Sequence, residues 1–198
     1  GTVFRRHLES QLGSSFETLA WQVSDKIDRA IYERYRDLQF TASLAPFRDG
    51  ATPAGERRRV LETLQSASPE FAWLGMADAR GQIVSATGGV QEGASAGERA
   101  WCRGARERPY AGNLHELPEL ARTTPGPSDE PPRYLDLAVP ITSNTGQFLG
   151  VLGAHLGWTW ARDVQLSVVP ETARRERLGV TIYSSAKDIV LDSGGSGW

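Results

Sequence analysis

Sulfur is almost missing from this chain. Its 198 residues include one cysteine, Cys102, and one methionine. No disulfide can close within the chain, and metal sites built on several thiolates are excluded. Histidine is scarce too, at three residues. One of them, His7, falls in the N-terminal helical stretch, so a metal site made of the three histidines is not expected, and no cofactor is implied. Neither sign of charge is in excess: 22 basic residues stand against 24 acidic ones. That balance argues against a nucleic-acid binder driven by phosphate neutralisation. No apolar run approaches the roughly 18–20 residues of a membrane span, and no signal-peptide pattern is present. The chain opens Gly1-Thr2 and reads as a piece of a longer protein. The lone cysteine is neutral on compartment.

Proline and glycine are also rare at the start, where residues 3–46 hold only Gly13 and Pro46. Phe4, Leu8, Leu12, Phe16, Leu19, Val23, Ile27, Ala30 and Leu38 recur mostly at intervals of three and four, one stripe of an α-helix. Such a helix would run about 60 Å at ~1.5 Å per residue, and Gly13-Ser14-Ser15 is a place where it could bend. It serves either as a packing helix or as a stalk that transmits motion or dimerises. Thr52-Pro53 reads as an N-cap and first helical residue, and Val60, Leu61 and Leu64 give the helix that follows one apolar side.

Strands come next. Phe71–Ala77 and Gln82–Ala86 flank the tight turn Asp78–Gly81. A Gly/Ala-rich loop over 87–97 leads to a short helix around Glu98–Arg106. Tyr110–His115 is a third strand candidate, Glu116–Ala121 a helical turn, and Thr123–Pro132, with four prolines, a loop. Tyr134–Ile141 and Gln147–Leu156 form a hairpin across Thr142–Gly146. Leu135, Leu137, Val139 and Ile141 share one face of its first strand. Phe148, Leu152, Ala154 and Leu156 share one face of the second, with Leu149 and Val151 on the other. A strand apolar on both faces belongs in a sheet covered on both sides. Asp136 and His155 break that pattern and need partners if buried. Either they satisfy each other or they face something that is not protein.

The parallel dinucleotide-binding folds need a helix between successive strands, and here two of the connections are hairpins, which excludes them. The glycines of Gly146–Gly157 lie among strand residues and open no helix, so they make no phosphate loop. The expected fold is α+β: a long N-terminal helix packed on a PAS-like five-stranded antiparallel sheet. After Trp158 the chain turns helical, meets Pro170 and continues through Glu171–Arg177. A further hairpin, Gly179–Tyr183 and Asp188–Leu191 around Ser184–Lys187, begins a second small module that ends at Gly194–Trp198. The implied division is a stalk helix over 1–48, a ligand-binding module over 49–165, and an incomplete module over 166–198.

The segments Phe71–Val84, Arg99-Ala-Trp101, Asp136–Ile141 and Gly146–His155, in this order and spacing, resemble Cache domains. These are extracytoplasmic sensors of bacterial chemoreceptors, histidine kinases and diguanylate cyclases, and the resemblance covers roughly residues 1–165. It implies a periplasmic module of the double-Cache type that binds a small molecule and signals through its N-terminal helix, with the membrane reached only through flanking segments. Amino-acid-binding members clamp the ligand carboxylate with an Arg-x-Trp-Tyr segment and hold its ammonium with aspartates. Arg99-Ala-Trp101-Cys102 is similar to the first segment, with cysteine in place of tyrosine. Gly153-Ala-His155 puts a histidine where an aspartate is expected, and Asn113-Leu-His115 lies near the middle motif without a carboxylate. The ligand-binding residues so implied are Trp73, Arg99, Trp101, Asn113, His115, Asp136 and His155, with Trp73 the one most readily explained as core. Asp136 either pairs with Arg99 or His155, neutralising the site, or only anchors a loop.

With both aspartates gone, Arg99 and two histidines favour an anionic ligand such as a small carboxylate, bound more tightly in mild acid. A Cys102–His–Asp136 nucleophile is conceivable, but no oxyanion or nucleophile-elbow sequence accompanies it, so no catalytic residue is expected in this domain. The alternative to a sensor is a ligand-free interaction module that forms a homodimer through the long helix.

Overall fold

The computed structural model describes the backbone of residues 2–121, 132–168, 181–183 and 189–192, and the side chains of 17–120 and 132–168. The side chains of the stripe positions Phe4, Leu8, Leu12 and Phe16 lie outside these, as do most of the proline-rich loop Thr123–Pro132, the helical continuation Glu171–Arg177, the turn Ser184–Lys187 and the end Gly194–Trp198. The chain divides into two compact units, residues 33–158 and residues 1–32 with 159–198.

Helix α1 (Thr2–Ser43) runs continuously through Gly13–Ser15. Of the apolar stripe, Val23, Ile27 and Leu38 are buried. Short α2 (Ala45–Arg48) and α3 (Ala54–Ala67) follow. The expected start of α3 is one residue early: Pro53, with φ −60° and ψ 142°, is itself the N-cap, and no side chain caps the helix. Its extended ψ keeps it outside the helix while its carbonyl accepts from Glu56 and Arg57.

In the larger unit, β1 (Phe71–Asp78), β2 (Ile83–Ala86), β3 (Tyr110–Glu116), β4 (Arg133–Thr142) and β5 (Phe148–Gly157) form one antiparallel sheet in the order β2-β1-β5-β4-β3. This is the α+β architecture that the alternating strands and tight turns predict. The hairpin β4–β5 lies at its centre, and all but the ends of both strands are buried. Pro140 lacks an N–H, but it sits past Ala138, the last β4 residue with a β3 partner, where β4 has a free edge on that side; proline is tolerated at such edges. Leu74, Leu135, Leu137, Val139, Leu152 and Leu156 are buried, and α3 packs against β1 and β2. Arg57 of α3 is buried as well. Its guanidinium donates to the carbonyls of Pro46 and Asp49, tying α2 to α3.

On one face of the sheet, Trp73, Ala77, Tyr134, Ala138 and Val151 join Trp101, Cys102 and Leu120 in a single apolar cluster. Helices α4 (Ala100–Gly104) and α5 (Pro118–Ala121) lie in the segments that supply those last three residues. In the smaller unit α6 spans Thr159–Val168, and the expected second hairpin is present as β6 (Thr181–Tyr183) paired with β7 (Ile189–Asp192). Among the described residues no helix is long and apolar enough to cross a membrane.

Candidate functional site

The site is built on one row of the sheet. Trp73, His155 and Asp136 are direct cross-strand neighbours on β1, β5 and β4, and directly opposed residues point to the same face. The neighbouring row carries Gly75, Gly153 and Ala138. These small residues make room for two indoles. A Cβ on Gly153 would lie 2.6 Å from the ring of Trp101, and one on Gly75 would lie 2.3 Å from the ring of Trp73. The indoles meet edge to face at 5.8 Å, and the His155 imidazole stacks on Trp73 at 4.8 Å. Trp73 is fixed by its Nε1–H, which donates to the Val90 carbonyl at 3.1 Å.

Around this floor opens a cavity of about 480 Å³ whose wall includes Arg99, Trp101, Asn113, His115, Asp136 and His155. That volume falls in the range that holds small organic ligands, roughly 300–1,000 Å³. Six of the seven residues anticipated as a site thus converge on one hollow. Trp73 is the exception. It is buried one layer behind the wall because stacking on His155 and the bond to Val90 turn it inward.

Asp136 pairs with His155 and not with Arg99. His155 Nδ1 lies 2.6 Å from Asp136 Oδ1, with both side chains almost fully buried. His115 Nε2 lies 3.5 Å from the same oxygen. His115 is brought there by β3, whose register with β4 is irregular between Ala111 and Leu114, the stretch that carries exposed Asn113. The His115 ring is oriented by its own Nδ1, 3.0 Å from the Asn113 carbonyl. Among the described residues, His115, Asp136 and His155 are a group whose donor atoms all lie within 4.8 Å of one another, close enough for a metal ion. Sequence reasoning missed this grouping because it weighed three histidines, when a carboxylate is the third donor.

Arg99 sits just before α4 and also lines the cavity. Its Nη1 donates to Gln91 Oε1 at 2.6 Å and lies 3.8 Å from Glu119 Oε1. Neither Gln91 nor Glu119 was anticipated, nor was Tyr110, which also lines the cavity. Gln91 carries a signal of its own, being the only described non-glycine residue with positive φ, at 69°. Such a conformation is uncommon outside glycine, asparagine and aspartate. The next residue, Glu92, turns to α3, where the Arg58 guanidinium binds both its oxygens. Pairing with Arg58 holds the Glu92 carboxyl below the ordinary range, with some opposition from burial.

Two buried polar atoms of the wall residues, Trp101 Nε1 and His155 Nε2, have no hydrogen-bond partner among the described residues. Cys102 is buried outside the lining, and burial pushes its thiol up despite the nearby charge of Arg106. A raised thiol is the reverse of what a nucleophile requires.

No protein-family model matches the chain, and a search of curated proteins finds no match. Solved structures do match. The ligand-binding domain of the Pseudomonas aeruginosa PAO1 amino acid chemoreceptor PctC, solved with GABA, aligns at TM-score 0.66 and 19% identity, over 93% of this chain and 74% of that one. The sensor domain of the V. cholerae histidine kinase DctB aligns at TM-score 0.69 and 10% identity, over 93% and 67%. The chain has the fold of these ligand-binding and sensor domains. The Campylobacter jejuni chemoreceptor Tlp3 domain, solved with 4-methylisoleucine, adds TM-score 0.66 at 13% identity, over 93% and 70%. At these identities the likeness is one of fold, and it agrees with the architecture that the Cache resemblance implies.

Proposed function

We propose that this chain is the extracytoplasmic, periplasmic sensor part of a transmembrane signalling receptor, a histidine kinase, diguanylate cyclase or chemoreceptor, and that its cavity binds a small molecule bearing a carboxylate. The observation that carries the reading is the wall of the cavity. A guanidinium stands on one side, an indole N–H lies buried without an acceptor, and a histidine–aspartate pair closes the row beyond. Arg99 offers a planar fork that suits a carboxylate, and Trp101 Nε1 offers one further donor. Glu119, 3.8 Å from Arg99 Nη1, acts as a counter-ion that yields the guanidinium to the ligand. Differential affinity for two arrangements of the wall then shifts the balance between them, and α1 carries the change along its length. The domain itself is a binding module and not a catalyst. The division into a stalk over 1–48, a ligand module over 49–165 and an incomplete module over 166–198 belongs to the same reading.

The solved relatives with GABA and with 4-methylisoleucine support a small-molecule ligand. Calorimetry against a panel of organic acids and amino acids tests the reading. Binding of simple carboxylates, abolished by Arg99→Ala, is expected. Binding of amino acids alone, with no plain acid, would remove the argument for an anionic ligand.

One observation favours a second role, as a homodimer through α1. Trp21 and Tyr32, both about two-thirds to half exposed, lie eleven residues apart, close to three helical turns, and so share a side of the helix. Sedimentation of the wild type against Trp21→Ser checks it. If the chain were only a dimerisation module, no acid in the panel would raise its melting temperature.

A further inference from the structure

We propose that His115, Asp136 and His155 form a binding site for one divalent transition-metal ion of the zinc class. The proposal does not rest on the sensor reading. Its first support is a mismatch of donors and acceptors. The Asn113 carbonyl can only accept, so the His115 Nδ1 that faces it at 3.0 Å carries the ring proton. In the neutral ring Nε2 is then a lone pair. That lone pair faces Asp136 Oδ1 at 3.5 Å, and Oδ1 is an acceptor already engaged by His155 Nδ1. Two acceptors thus converge with nothing of their own to place between them. A cation between them satisfies both.

The second support is geometric. The three donors come from three strands, β3, β4 and β5, of which β4 and β5 are the buried centre of the sheet. Their ligand atoms lie within 4.8 Å of one another. A tetrahedral ion bound at ~2.0–2.1 Å needs donors roughly 3.3 Å apart. His115 and Asp136 are already near that spacing at 3.5 Å, and the His155–Asp136 pair must open from 2.6 Å. On binding, the proton of His155 Nδ1 moves to Nε2, and the ring stays neutral. Two imidazoles and one carboxylate make a donor set that suits zinc, and three protein ligands leave the fourth position open to the cavity. The Asn113 carbonyl behind His115 is the kind of outer partner that fixes a ligating ring.

The test uses the whole chain, stripped of metal and with no organic ligand added. Zinc is titrated by calorimetry, and cobalt is followed in the visible. One equivalent of each is expected, with the intense bands of four-coordinate cobalt, and with affinity reduced at least about tenfold by His115→Ala, a partly exposed position chosen to spare the fold. Asp136→Asn gives the same loss, and His7→Ala leaves binding unchanged. The proposal is overturned if no metal is taken up, if cobalt shows only the weak absorption of a six-coordinate ion, or if His115→Ala binds metal as tightly as the wild type. In each case the cation between the two acceptors would be a proton on His115. Because no carboxylate ligand is present, these outcomes leave the acid-binding experiment with Arg99→Ala to be decided separately.

Discussion

Asp136 Oδ1 and His155 Nδ1 are 2.6 Å apart across the β4–β5 hairpin, in a row of the sheet where both side chains are screened from water. A pair of this kind is costly to break from one side only, because the group left behind keeps its desolvation penalty and loses its partner. Asp136→Ala is therefore expected to destabilise the fold by about 2–4 kcal/mol. Part of that loss should return in the double variant Asp136→Ala/His155→Leu, read as denaturant midpoints in a double-mutant cycle. A zero coupling energy would show that the two side chains are held by their surroundings and not by each other.

Gly153 lets the Trp101 indole lie on β5. Alanine there would place its Cβ 2.6 Å from the ring. Gly153→Ala should cost about 1–3 kcal/mol through overpacking, and the displaced indole should weaken ligand binding with it. Thermal melts paired with ligand titration check both effects. A variant as stable as the wild type would mean that the ring has another resting place.

Glu119 sits 3.8 Å from the guanidinium that the proposed ligand needs, and it is well exposed. An exposed ion pair is worth roughly 0.2–1 kcal/mol. Removing the competitor by Glu119→Gln should therefore tighten carboxylate binding by up to about fivefold. Calorimetry at fixed ionic strength reads this directly. Weaker binding in the variant would make Glu119 a contact for the ligand instead of a rival to it.

The Glu92 carboxyl is held below its ordinary value, chiefly by Arg58. A carboxyl lowered in the folded state contributes stability that is complete above its unfolded value and is lost as pH falls through the folded one. Urea midpoints should accordingly be level near neutrality and decline in acid. Glu92→Gln should lower the plateau and flatten the decline. An unchanged slope in the variant would assign the acid sensitivity to other carboxylates.

Much of this was legible from residue order. Alternation and turn chemistry located all five strands of the main sheet to within about two residues, because a hairpin buried on both faces has few other ways to be written. The polar intruders Asp136 and His155 stood out for the same reason, since a charge or an imidazole in an apolar strand has no local explanation. Gln91 and Glu119 did not stand out. Both are polar residues in polar surroundings, and only the fold brings them within reach of Arg99, across 8 and 20 positions of sequence. The partner of Asp136 was likewise undecided between Arg99 and His155, because choosing requires the register of β4 on β5. Trp73 already read more readily as core than as wall, and its indole, donating to the Val90 carbonyl, is indeed turned away from the cavity.

Gln91 and Glu92 are consecutive, yet they grip different elements, one holding Arg99 at the cavity and the other Arg58 on α3. The peptide between them joins the two grips through a backbone held in an uncommon twist at Gln91. If an arriving guest takes over the Arg99 fork, the amide of Gln91 loses its hold, and the handle that α3 keeps on Glu92 is the next joint to feel the slack.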